Sequence, residues 1–135
     1  MPHLVVLYTP NLEAEAGLSA LCRRLADALL AVRDEAGAQV FPTGGVRVLA
    51  YPAAHFAVAD GQRDYGFVCL NLRMARGRSP QVQQVAGEAV LAAAREHLAP
   101  LIERRLLGLT VQVDESPGQV YDGKAGNLHP LFAKG

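Results

Sequence analysis

Two hydrophobic rhythms run along this chain, one of period two and one of period near 3.6, and they alternate. His3 to Tyr8, HLVVLY, is a short apolar run of strand type, broken by the turn-forming TPN that follows. From Leu18 onward, Leu21, Cys22, Leu25, Leu29 and Val32 recur at helical spacing, and Gly37 is expected to close that segment. After the turn-like PTGG, VRVLAY at 46–51 predicts a second strand. The same order then repeats. DYGFVCLNLRM at 64–74 predicts a strand, and GRSP supplies Ser79 as N-cap and Pro80 as first helical residue. Val82, Val85, Ala86, Ala89, Val90 and Ala93 form an apolar stripe, which Pro100 is expected to kink or end. LLGLTVQV at 106–113 predicts the last strand. The polar, glycine-rich remainder is expected to be a loop or arm ending in LHPLF.

The pattern predicts an α/β fold: two tandem β-α-β units, at about 2–55 and 64–114, with a C-terminal arm at 115–135, all in one domain. A parallel strand pair needs a crossover of this kind, and the crossover is almost always right-handed. A ferredoxin-like monomer shares the element order but has an antiparallel sheet. The first strand argues against it. Leu4, Val6 and Tyr8 point one way, Val5 and Leu7 the other, so both faces are apolar. Helices on one face of a four-stranded sheet leave the other bare, and further copies of the chain are expected to cover it in a homotrimer.

Composition narrows the function. Formal net charge is zero over 135 residues, with no basic patch or acidic tail, so neither nucleic acid nor a membrane surface is an expected partner. Of thirteen basic residues only Lys124 and Lys134 are lysines. An arginine bias suits bidentate recognition of carboxylates, although high genomic GC content produces it too. Cys22 and Cys69 read as buried, reduced small hydrophobes, which fits a cytoplasmic setting. MPHLVVLY lacks a charged n-region and is too short for a signal peptide, and no apolar run approaches the ~20 residues of a membrane helix. No histidine pair has metal-ligand spacing, and no phosphate loop, dinucleotide fingerprint or nucleophile elbow occurs. No cofactor or metal is expected.

Three residues are candidates for chemistry. If Met1 is removed, Pro2 becomes a free secondary amine, a base that ordinary side chains do not provide. An apolar pocket and nearby guanidinium groups would lower its pKa towards neutrality. Arg47 interrupts an apolar strand, sharing a face with Leu49 and Tyr51. It is expected either to pair with an internal carboxylate or to bind an anionic substrate. Arg78 directly precedes the Ser79 cap, where a helix N-terminus favours anions, or else it is a solvated loop residue as Arg76 is expected to be. His3 is expected to face away from Pro2 in a structural or interfacial role. His55 and His129 are weaker pocket candidates, and His97 sits towards a helix end where a cation is favourable.

Taken in order, Met-Pro-His before an apolar strand, FPTGGVR, ADGQRDYGFV, GRSPQVQQVAGE and NLHPLF resemble the 5-carboxymethyl-2-hydroxymuconate isomerases of the tautomerase superfamily, over residues 2 to about 132. LAYPAAHFAV departs from the more aromatic and charged stretch expected there. The resemblance implies a homotrimer of tandem β-α-β units and a cofactor-free 1,3 proton shift from a dienol to a conjugated enone. The implied setting is homoprotocatechuate breakdown, and the implied substrate a small di- or tricarboxylate dienol. It implies that Pro2 moves the proton while Arg47 and Arg78 handle carboxylates and the developing oxyanion. Neither repeat carries the full set, so one site per chain is expected. Other activities of the superfamily, such as arylpyruvate tautomerisation or a hydrolytic dehalogenation, are alternatives. A non-catalytic trimeric binding protein is a third, if Met1 is retained.

Overall fold

The computed structural model describes residues 2–133. The first unit is β1 (His3–Tyr8), α1 (Leu18–Leu30) and β2 (Arg47–Pro52). The second is β3 (Tyr65–Ala75), α2 (Pro80–Arg104) and β4 (Leu106–Ser116), and a short α3 (Leu128–Phe132) follows. The sheet order is β2-β1-β3-β4. Within each unit the strands are parallel, and the units join through the antiparallel β1–β3 pair. The sheet is therefore mixed, as two crossovers require, and not the antiparallel sheet of the ferredoxin-like alternative.

Both long helices pack on the face that carries Leu4, Val6, Leu70 and Leu72, all fully buried. Leu21, Leu25 and Leu29 of α1 and Ala86, Val90, Ala94 and Leu98 of α2 complete that core. A leucine buried this fully contributes about 1.5–3 kcal/mol. Tyr8 belongs to the same layer and donates its hydroxyl hydrogen to Glu13 at the rim. On the opposite face Leu7, Leu49, Tyr51 and Leu106 remain 46%, 41%, 49% and 47% accessible, so among the described residues no element covers it.

Apart from one-residue shifts of β2 and β3, the elements differ from expectation in four places. α1 stops at Leu30, yet Val32 is still buried, because the turn after the helix folds back and Val40 donates its N–H to the Val32 carbonyl. α2 continues through Pro100 to Arg104. Pro100 is exposed, while Leu98 and Leu101 on either side of it are buried on the sheet, and that packing carries the helix past the missing hydrogen bond. β4 runs three residues beyond the apolar pattern, to Ser116, because it pairs with β3 along its whole length from Tyr65–Leu106 to Ala75–Ser116. Finally, the arm contains α3, which rests against the turn at Thr43–Gly45 through Phe132 and His129.

At the sheet end where β1 finishes, one arginine ties the two units together. Arg105 donates to the Asn11 carbonyl, to Glu15 and to Asp64, each at 2.8 Å, and Arg104 also pairs with Glu15. The Glu15 carboxyl is held below the ordinary carboxylate range by its hydrogen bonds to Arg104 and Arg105.

Ser79 accepts the Val82 N–H at 3.2 Å and caps α2 as the sequence indicates. Gly66, buried at the start of β3, has no such latitude for a side chain. A Cβ there would sit 2.5 Å from Cδ2 of the fully buried Leu12. Gly66→Ala is expected to destabilise the fold by about 1–3 kcal/mol through overpacking. Urea denaturation checks this, with the midpoint falling at constant slope.

Candidate active site

Pro2 stands one residue before the central strand, and it is buried. The strand register determines what surrounds it. His3 lies opposite Arg47 on β2 and opposite Arg73 on β3, so the first residues of β1 are flanked by an arginine on each side. Register partners share a face of the sheet, and here it is the face without helices. Pro2, His3, Arg47, Arg73, Arg76 and Asp122 help line one cavity of about 360 Å³.

The electrostatics of that cavity are one-sided. Its lining carboxylate, Asp122, is hydrogen-bonded by Lys124 at 2.7 Å, which holds its carboxyl below the usual range. Among the described residues, Arg47 and Arg73 take part in no ion pair. The internal carboxylate considered as a partner for Arg47 is therefore absent among them. The carboxylate across from Arg73 on β4 is Asp114, and it accepts instead from the Asn71 amide at 2.7 Å. Burial, then the charges of Arg73 and Arg47, push the His3 imidazole below its ordinary value of 6.5. A neutral histidine between two free guanidinium groups leaves a pocket suited to an anion, with room for both donors and acceptors.

Arg47 also lines a second cavity, of about 590 Å³, formed with Gly44, Lys124, Asn127 and His129. The arm thus supplies walls to both cavities, and His129 sits beside Arg47's second one. His55 is exposed in the 53–64 segment and lines neither. His97 lies seven residues before the end of α2 at Arg104, not in its last turn. Its Nε2 lies 2.8 Å from the Ala16 carbonyl and ties α2 to the start of α1.

Arg78 lies outside the Pro2 cavity. It lines a separate one of about 490 Å³ together with Asp34, Glu35, Gln39, Arg76 and Ser79. Its guanidinium carbon stands 5.0 Å from the Phe41 ring centroid, and it donates to the carbonyls of Ala75 at 3.3 Å and Val40 at 3.4 Å. Burial lowers its pKa from the arginine value. The turn that swings it round depends on Gly77, whose φ of 108° is open to glycine alone at little cost. Arg76 is exposed in the turn after β3, as expected of a solvated loop residue, and lines both cavities.

His3 lines the same cavity as Pro2, and that cavity takes in residues of both faces at this end of the sheet, Arg73 from one and the buried Met74 from the other. Pro2 precedes the ladder, so the alternation of the strand does not govern it. Arg73 was missed altogether. Its parity with Cys69 and Asn71 assigns it to the open face, but only the β1–β3 register brings it to His3. Among the described residues, no group of three His, Cys, Asp or Glu side chains is placed to hold a metal ion.

The comparisons with known proteins bear on this arrangement. A family model described as 5-carboxymethyl-2-hydroxymuconate isomerase matches residues 2–132. The chain belongs to that family. A protein of Escherichia coli named 5-carboxymethyl-2-hydroxymuconate Delta-isomerase is 33% identical, over 98% of this chain and 99% of its own. A crystal structure of a 5-carboxymethyl-2-hydroxymuconate delta-isomerase is 58% identical and superposes with a TM-score of 0.94, covering 100% of this chain and 95% of that one. The isomerase structure from Deinococcus radiodurans R1 is 32% identical with a TM-score of 0.83, over 97% and 93% of the two chains. This member of the family is an isomerase, and the tandem β-α-β fold is the family's fold. Among the described residues no helix is long and apolar enough to cross a membrane.

The depressed His3 value gives a direct test of the pocket's charge. In an NMR titration the His3 ring is expected to titrate below 6.5. Arg73→Ala is expected to raise the midpoint, and Arg47→Ala to raise it less, following the order of their effects. The folded ring holds its proton less tightly than the unfolded one. Its contribution to stability is therefore present above the unfolded value and is lost as pH falls from there through the folded midpoint.

Proposed function

We propose that this isomerase converts 5-carboxymethyl-2-hydroxymuconate, a dienol, to the conjugated enone, with the nitrogen of Pro2 as base and without a cofactor. The reaction belongs, in this reading, to homoprotocatechuate breakdown. The observation that carries it is a buried proline at the end of the central strand, opening on a cavity flanked by unpaired arginines. Removal of Met1, which lies outside the described residues, makes that nitrogen a secondary amine. The amine takes the proton of the enol hydroxyl, and the C–O bond becomes a carbonyl as the electron pair moves along the diene. The ammonium so formed returns its proton to a carbon further along, and the conjugated enone leaves. Atoms and charge balance with no external oxidant or reductant.

Each side chain has a part. Arg47 neutralises a substrate carboxylate or the oxyanion that develops at the carbonyl. Arg78 has the same duty in the family resemblance. Held against Phe41 outside the Pro2 cavity of its own chain, it is assigned here to a site completed on assembly. The α-amine reference lies near ~7.7–8.0, and a proline nitrogen starts higher. Burial and neighbouring guanidinium groups both act in favour of its neutral form, the form that serves as base.

The deciding experiment compares the kinetics of methionine-free and methionine-retaining protein at equal concentration. An amide at Pro2 is expected to lower the rate ~10²–10⁴-fold while the circular dichroism spectrum stays the same. Equal rates would exclude the amine as base. Pro2→Ala, which keeps a free amine but loses the ring, is expected to fall between the two.

The assembly proposed is a homotrimer, with the uncovered sheet face at its centre and the reaction carried out in the cytoplasm. Four exposed large hydrophobics on that face, Leu7, Leu49, Tyr51 and Leu106, support it. The interface is expected to exceed ~2,000 Å² in total. Light scattering at micromolar concentration checks this, and a monomer mass would refute it.

A further inference from the structure

Arg73 is the feature of the site that the catalytic reading leaves unused. It is exposed on β3, in register with His3, and lines the Pro2 cavity. Arg47 holds the matching position on β2. The two arginines therefore stand on opposite flanks of β1, on one face, with their backbones two strand spacings apart, roughly 10 Å. Like charges placed about a shared neighbour are unfavourable in a sheet. The obvious relief is not taken, because Asn71 occupies Asp114 and Lys124 occupies Asp122. His3 between them is driven towards its neutral form, so it adds no third charge and can offer a hydrogen bond. Two guanidinium groups without ion-pair partners, lining one cavity from strands on either side of β1, are what a ligand with a carboxylate at each end would satisfy.

We propose that Arg73 and Arg47 form a two-ended clamp across β1, and that Arg73 selects substrates with a second carboxylate over those with one. This rests on the isomerase reading of the Pro2 site. It adds a specificity-determining residue, and it predicts that acids with a single carboxylate are the poorer substrates. An arginine is better suited to the task than a lysine, since its planar fork engages both carboxylate oxygens.

The test uses the full chain as wild type, Arg73→Ala and Arg73→Lys, with Arg23→Ala on the far helix as a control. Each is assayed on 2-hydroxymuconate, a dicarboxylate dienol, and on 2-hydroxypenta-2,4-dienoate, its monocarboxylate counterpart. The ratio of kcat/KM for the two is expected to fall at least tenfold in Arg73→Ala, mainly through KM for the dicarboxylate. Arg73→Lys is expected to restore it in part, and Arg23→Ala to leave it alone. A ratio within twofold of wild type in Arg73→Ala overturns the proposal. A second readout needs no turnover. Adipate, an inert diacid, is expected to raise the Tm of wild type more than hexanoate does, and that difference is expected to vanish in Arg73→Ala. No difference in wild type, or one that survives in Arg73→Ala, overturns the clamp. If neither dienol is turned over while the adipate effect behaves as expected, the isomerase reading fails and the clamp stands.

Discussion

Backbone pairing on both sides of β1 is the constraint from which the site follows. A strand at the edge of a sheet would carry its first residues into solvent with one neighbour at most. Here β2 lies parallel on one side and β3 antiparallel on the other, so the beginning of β1 is held between the beginning of one strand and the end of another. His3, Arg47 and Arg73 meet for that reason, although 26 to 70 residues of chain separate them in sequence. The ladder also limits where Pro2 can move, because the peptide that follows it is anchored on both flanks. A proline at a free chain end would sample many orientations, whereas one attached to this strand has few.

Electrostatics make that placement suited to an anion. Within the cavity the positive groups outnumber the carboxylates, and Asp122 is engaged by Lys124. The protein tolerates this imbalance on the face of the sheet that the helices do not cover. Water screens exposed arginines there, and in the proposed function an anionic substrate takes that water's place. On the covered face, the same charges would have no counterpart and would not be retained.

Much of the fold was legible because periodicity reports burial. The stripe from Leu18 to Leu29 and the alternation through VCLNLRM each name the side that faces the core, and both units follow from them. The ends were less legible for the same reason. Asp114 to Ser116 are polar, and only pairing to β3 extends β4 through them. Pro100 signals a break that packing of Leu98 and Leu101 overrides. In the site, Pro2 and Arg47 could be singled out by residue type and neighbourhood. Arg73 could not, since its place beside His3 is set by a cross-strand register that a single sequence does not encode. Arg78 was singled out by its place before the Ser79 cap, yet its own chain turns it towards Phe41.

The cluster around Arg105 gives the sheet unlike poles. At one pole, an arginine from the second unit is fastened to Asn11 and Glu15 of the first and to Asp64 in the connection between them. At the other, roughly 20 Å away along the six residues of β1, arginines stand without such fastening. The joining of the two halves and the proposed handling of substrate thus fall at different ends of the same strands. Side chains at the proposed reactive end are free to change with little consequence for how the halves hold together. A duplicated β-α-β unit arranged in this way can acquire new chemistry at one pole while the other preserves the architecture.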